Sequence, residues 1–90
     1  MKKKLHALFS GRVQGVGFRF TAERIARRFP VTGYVRNLPH EKVELVAEGE
    51  EESLKQFLET VREAFRTHIH RVETHWCQAT DEHRSFGIKF

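Results

Sequence analysis

The chain carries a single cysteine, Cys77, among 90 residues, so it can form no intrachain disulfide. That usage suits a reducing compartment. No apolar run approaches the roughly 20 residues that a membrane-crossing helix needs. The first residues resemble a secretory leader only briefly, because Ser10, Gly11 and Arg12 cut the apolar run short. A cytoplasmic protein without a membrane partner is the expectation. No Gly-Lys-Ser/Thr occurs anywhere, which excludes a Walker loop. Internal repeats, low-complexity tracts and a Pro/Gly/Ser linker are also missing, so residues 1–90 are expected to form one domain. Apolar residues make up 39% of the chain, which argues against disorder.

The charge is present but uneven. The net charge is +4, yet successive thirds of the chain carry +7, −4 and +1. The N-terminal third is thus disposed to meet an anion. A general nucleic-acid binder more often spreads its charge along a face. Lys2, Lys3 and Lys4 read as a solvated tail.

Hydrophobic periodicity orders the elements. Leu5, Ala7 and Phe9 alternate with His6, Leu8 and Ser10, which predicts a strand over 4–13. Phe18, Ala22, Ile25, Ala26 and Phe29 then recur at helical spacing until Pro30. Strands follow over 31–38 and 42–48, joined by a turn at 37–41, and form a hairpin. A second helix spans about 51–65, with Leu54, Phe57, Leu58, Val61, Ala64 and Phe65 as its stripe. A fourth strand covers 70–79, and Phe86, Ile88 and Phe90 alternate in a short last one. Trp76, Phe86, Ile88 and Phe90 are assigned to the core or sheet edge. The order βαββαβ predicts an α+β, ferredoxin-like fold, with two helices on one face of a mainly antiparallel four- to five-stranded sheet. That fold serves enzymes and binding modules alike.

The chemistry concentrates between the first strand and the first helix. Gln14-Gly15-Val16-Gly17-Phe18-Arg19 stands where a helix leaves amides unpaired and presents its positive end. Glycines let successive amides point into one concavity. A cation at Arg19 opposes the helix dipole, which makes sense when an anion lies between it and the amides. A dinucleotide fingerprint is excluded, since its third glycine would fall at Phe20. A phosphate nest and a plain tight turn with a solvated arginine both remain open from spacing alone.

Three segments resemble the acylphosphatase family: Gly11-Arg12-Val13-Gln14-Gly15-Val16-Gly17-Phe18-Arg19, then Gly33-Tyr34-Val35-Arg36-Asn37-Leu38-Pro39, then Val43-Glu44-Leu45-Val46-Ala47-Glu48-Gly49. The resemblance is strong over residues 5–49 and is one of pattern beyond. It implies a free-standing enzyme that hydrolyses acyl phosphates to a carboxylate and inorganic phosphate, with no metal and no other cofactor. Arg19 then grips the phosphoryl group with the backbone amides of Gln14, Gly15, Val16, Gly17 and Phe18, and Asn37 positions the attacking water. A neutral carboxamide suits this role, because a carboxylate would repel the phosphoryl oxygens. The family commonly has Asp-Gly after Asn-Leu-Pro, and Gly-Pro after the second helix. Here His40-Glu41 and Arg66-Thr67-His68 stand instead, so a wider first turn is expected.

Other candidates carry less. His68 and His70 share a strand face that His75 does not, so three metal ligands do not converge. Cys77 lacks a histidine or basic partner at useful spacing and reads as a structural or surface thiol. Glu50, Glu51 and Glu52 read as a solvated helix start. The rival from another class is an RNA-binding ferredoxin-like module without catalytic activity. Such modules stack bases on strand aromatics, whereas Lys42 to Glu48 holds no aromatic and two carboxylates. A monomer binding small molecules and no specific nucleic acid is the expectation.

Overall fold

Alternation of apolar residues on the strands and two amphipathic helices leave one way to close a core: the helices cover one sheet face. A computed structural model, describing residues 1–90, has this form. The elements are β1 (Lys2–Gly11), α1 (Phe18–Ala26), β2 (Thr32–Leu38), β3 (Lys42–Glu50), α2 (Glu51–Ala64), β4 (Ile69–Gln78) and β5 (Phe86–Ile88). The sheet order is β4-β1-β3-β2-β5, antiparallel except that β5 runs parallel to β2. Leu5, Ala7 and Phe9 point from the interior strand β1 into the core and are fully buried, with Val43 and Leu45 of β3 beside them. Phe18 of α1 and Phe65, just past α2, stack at 4.5 Å and join the two helices over Phe9.

Several expectations change. Lys2, Lys3 and Lys4 are strand residues, not a tail: they pair with Glu50, Gly49 and Glu48 of β3. Cross-strand carboxylates offset the poor strand propensity of lysine. Helix α1 stops at Ala26, because Arg27, Arg28 and Phe29 donate to carbonyls three residues back in a tightened last turn before Pro30. Ala64, placed on the α2 stripe, is exposed. Trp76 lies on edge strand β4, in keeping with a sheet-edge place, whereas Phe90 projects beyond β5 and is 93% exposed. The β2–β3 connection has three residues between paired Leu38 and Lys42, one more than the tightest hairpin, as a wider turn requires. His40 and Glu41 both adopt positive φ there.

The sheet face away from the helices carries a carboxylate that periodicity does not reveal as buried. Glu48 is 3% exposed. It accepts hydrogen bonds from the Thr80 amide at 2.9 Å, the Thr80 hydroxyl at 2.6 Å and the Asp81 amide at 2.8 Å, which strap the segment after β4 across the sheet. Burial alone pushes its carboxyl up, but these bonds outweigh that and hold it below the ordinary 4.5. A carboxyl lowered by folding contributes stability above its unfolded value and loses it as pH falls through its folded value. Glu48→Gln is expected to cost about 2 kcal/mol at pH 7. That difference should shrink as the pH is taken from 5 to about 3. Urea midpoints of both proteins across that range check it; a gap independent of pH would contradict it.

Candidate active site

The loop between β1 and α1 is pinned at both ends and open in the middle. At its start, Gly11 adopts φ 126° at a bulge where β1 shifts register against β4. A Cβ there would collide with the His68 carbonyl and the His70 amide, so only glycine fits. The Arg12 amide donates to the His68 carbonyl at 2.9 Å, and Val13 is fully buried. Next, the Gln14 side-chain amide donates to the Leu38 carbonyl at 2.7 Å and the Lys42 carbonyl at 2.8 Å. These two carbonyls flank the hairpin turn, so Gln14 fastens the loop to the end of β2 that carries Asn37. Gly15 and Gly17 then take φ 74° and 77°. Open space surrounds both, so their conformation, not crowding, selects glycine.

This path leaves donors unspent. None of the backbone amides from Gln14 to Phe20 donates to a protein acceptor; the first helical bond is Thr21 amide to Gly17 carbonyl at 3.0 Å. Gly17 caps α1 with no side-chain acceptor, and the first turn holds no acidic residue. Amides and helix dipole thus present uncompensated positive potential. Arg19, in that first turn, pairs with no carboxylate; its guanidinium lies 5.1 Å from the centre of the Phe90 ring.

The cleft in front of the loop measures about 170 Å³ and is lined by Val13, Gly15, Gly17, Phe18, Arg19, Phe20 and Asn37. Arg19 is the one ionic group among them. Arg36, next to Asn37, is turned to the opposite sheet face, where its Nε donates to Glu44 at 2.6 Å. Glu44 also bonds His6 at 2.7 Å. Burial pushes the Glu44 carboxyl up, but the bonds from His6 and Arg36 outweigh it and keep it low. Asn37 pairs with Val43 across the hairpin and places its side chain in the cleft. Its Oδ1 is buried and accepts no hydrogen bond from the protein, a costly arrangement unless another donor reaches it.

The sequence therefore placed Arg19, Gly15, Gly17, Phe18 and Asn37 in one cleft. Gln14 and Val16 do not line it: Gln14 spends its side chain on the hairpin, and Val16 stands exposed at the loop tip. Val13 and Phe20 were missed. Phe20 falls off the α1 stripe, and an apolar residue off the stripe was the available signal. A larger groove, about 920 Å³, separates α1 from α2. It is lined by Arg24, Arg27 and Arg28 as well as Glu59 and Glu63, but its walls are helix sides whose backbone groups are already bonded, so it offers no unspent amides to an anion.

Known proteins resemble this chain in sequence and in fold. The family model described as Acylphosphatase matches residues 5–88. The acylphosphatase of Caldanaerobacter subterraneus subsp. tengcongensis is 37% identical over 98% of this chain and 99% of its own. That of Salinibacter ruber is 42% identical over 98% and 94%. Among solved structures, the Bacillus subtilis acylphosphatase superposes with a TM-score of 0.87 at 28% identity, covering 98% of this chain and 99% of that one.

Proposed function

The chain belongs to the acylphosphatase family and hydrolyses acyl phosphates; on that premise we propose how its residues divide the work. The amides of the β1–α1 loop and the Arg19 guanidinium hold the phosphoryl oxygens. Arg19 offers a planar fork that bonds two oxygens at once. Asn37 accepts a hydrogen bond from the attacking water through Oδ1 and aims it at phosphorus. The water oxygen bonds to phosphorus, the bond from phosphorus to the bridging oxygen breaks, and the carboxylate leaves with the electron pair. The water's proton goes to the phosphate product. A carboxylate is a weak base and needs little acid help, so positioning and charge stabilisation carry the rate without a metal ion.

One observation carries this assignment: Asn37, with its buried and unpartnered Oδ1, shares a small cleft with Arg19 and a run of unspent amides. A titration of the amide NMR spectrum with inorganic phosphate tests it. The largest shifts are expected at Gly15 to Phe20 and at the Asn37 side-chain amide. Shifts centred on the groove between α1 and α2, or none at millimolar phosphate, would overturn it.

The same proposal has the protein work as one domain over residues 1–90, a cytoplasmic monomer without a specific nucleic-acid partner. Its one thiol, Cys77, is exposed and unpaired, as suits a reducing compartment. No helix is long and apolar enough to cross a membrane. On the sheet face where an RNA-binding module would stack bases, Glu44 and Glu48 stand with their carboxyls held low.

A further inference from the structure

The two halves of the cleft come from segments that are not sheet neighbours. The anion loop follows β1, Asn37 lies near the end of β2, and β3 runs between those strands. The separation of Asn37 from the loop therefore depends on what ties the loop to the β2–β3 hairpin. Arg12 is bonded away from the hairpin, to the His68 carbonyl just before β4. Within residues 12–17 only Gln14 hydrogen-bonds the hairpin.

Gln14 follows the buried Val13 and precedes Gly15, the first left-handed glycine of the loop tip. Its side-chain amide has two N–H donors. Both are used, at 2.7 Å to the Leu38 carbonyl and 2.8 Å to the Lys42 carbonyl. Leu38 and Lys42 are the last pair of the hairpin ladder, and Leu38 directly follows Asn37. Two bonds from one planar group fix orientation as well as distance. A glutamate would set two acceptors against two acceptors, and a methionine of the same length would donate nothing.

We propose that Gln14 is a positioning residue for the hydrolysis: it sets the distance and direction of Asn37 relative to the phosphoryl group in the loop. The inference rests on the roles given above to Asn37 and the loop amides. Gln14 does not line the cleft, so it acts through Asn37 and touches no reacting atom. The anion grip is local, set by the left-handed glycines and the start of α1. The line of attack is not local, because it needs the water on Asn37 and the phosphorus in the loop to be in register. Loss of the tie therefore falls on kcat and spares phosphate affinity.

Gln14→Met keeps the side-chain length and removes both donors. It is expected to lower kcat for benzoyl phosphate about tenfold while phosphate affinity changes less than about twofold. In an Asn37→Ala background the same substitution should cost less than about twofold, since no oriented carboxamide is left to misplace. An unchanged kcat, an equal factor in both backgrounds, or a parallel loss of phosphate affinity would overturn the proposal. The tie is also read without any substitution. The Gln14 side-chain amide protons should exchange with solvent about tenfold or more slower than those of Gln56 and Gln78, which are exposed. Equal exchange at all three would overturn it even if the variant fails to fold. No hydrolysis by the unaltered protein, or no loss in Asn37→Ala alone, would instead overturn the underlying roles and this proposal with them.

Discussion

Arg19→Ala is expected to lower kcat/KM for benzoyl phosphate by about a thousandfold or more. Removing one preorganised neutral donor from a charge-stabilising site costs about 10²–10³, and the proposed role gives Arg19 a full charge and two bonds. No neighbour can substitute. The cleft holds no second cation, and Arg36 is committed to Glu44 on the other face of the sheet. The fold should tolerate the change, because Arg19 is partly exposed and makes no ion pair within the protein. The variant should also lose the rise in melting temperature that inorganic phosphate gives the unaltered protein. Equal protection of both proteins by phosphate would remove Arg19 from the anion site. Arg19→Lys should restore little, since an ammonium is a point charge and cannot grip two oxygens in one plane.

Asn37→Ala has the second-largest expected effect, and its form differs. Turnover should fall about a hundredfold while phosphate affinity changes less than about threefold. In the proposed division of work the carboxamide orients water and does not hold the phosphoryl group. Asn37→Asp should be as damaging, because a carboxylate beside the phosphoryl oxygens repels them and gains nothing from its basicity. Parallel loss of kcat and of phosphate affinity in Asn37→Ala would assign Asn37 to ground-state binding instead.

Much of this arrangement was legible before any coordinates. Period-two alternation at Leu5, Ala7 and Phe9 located the core face of β1, and the two glycines with Arg19 marked the loop proposed to hold the anion. What escaped depended on long-range partners. Lysines at 2–4 read as a tail until β3 places Glu48 and Glu50 opposite them. Glu48 reads as a surface carboxylate because the groups that bury it, Thr80 and Asp81, lie more than thirty residues on. Gln14 reads in sequence as one more loop amide. Its fastening role exists only because the hairpin brings the Leu38 and Lys42 carbonyls to it. Phe90 departs for the opposite reason: an apolar residue is assigned to the core or sheet edge by default, and only the finished surface shows it exposed against Arg19.

The uneven charge also takes on a narrower meaning. Of the eight cations in the first third of the chain, three form ion pairs elsewhere: Lys2 with Asp81, Lys4 with Glu82 on the sheet face, and Arg27 with Glu23 along α1. One cation, Arg19, faces the unspent amides. The central claim is that this single arginine and the loop amides supply all the positive charge that phosphoryl transfer to water requires. Release of benzoate from benzoyl phosphate by protein stripped with a chelator tests it most directly. Turnover equal to that of the untreated protein is predicted; a rate at the uncatalysed background, restored by adding a divalent ion, would contradict it.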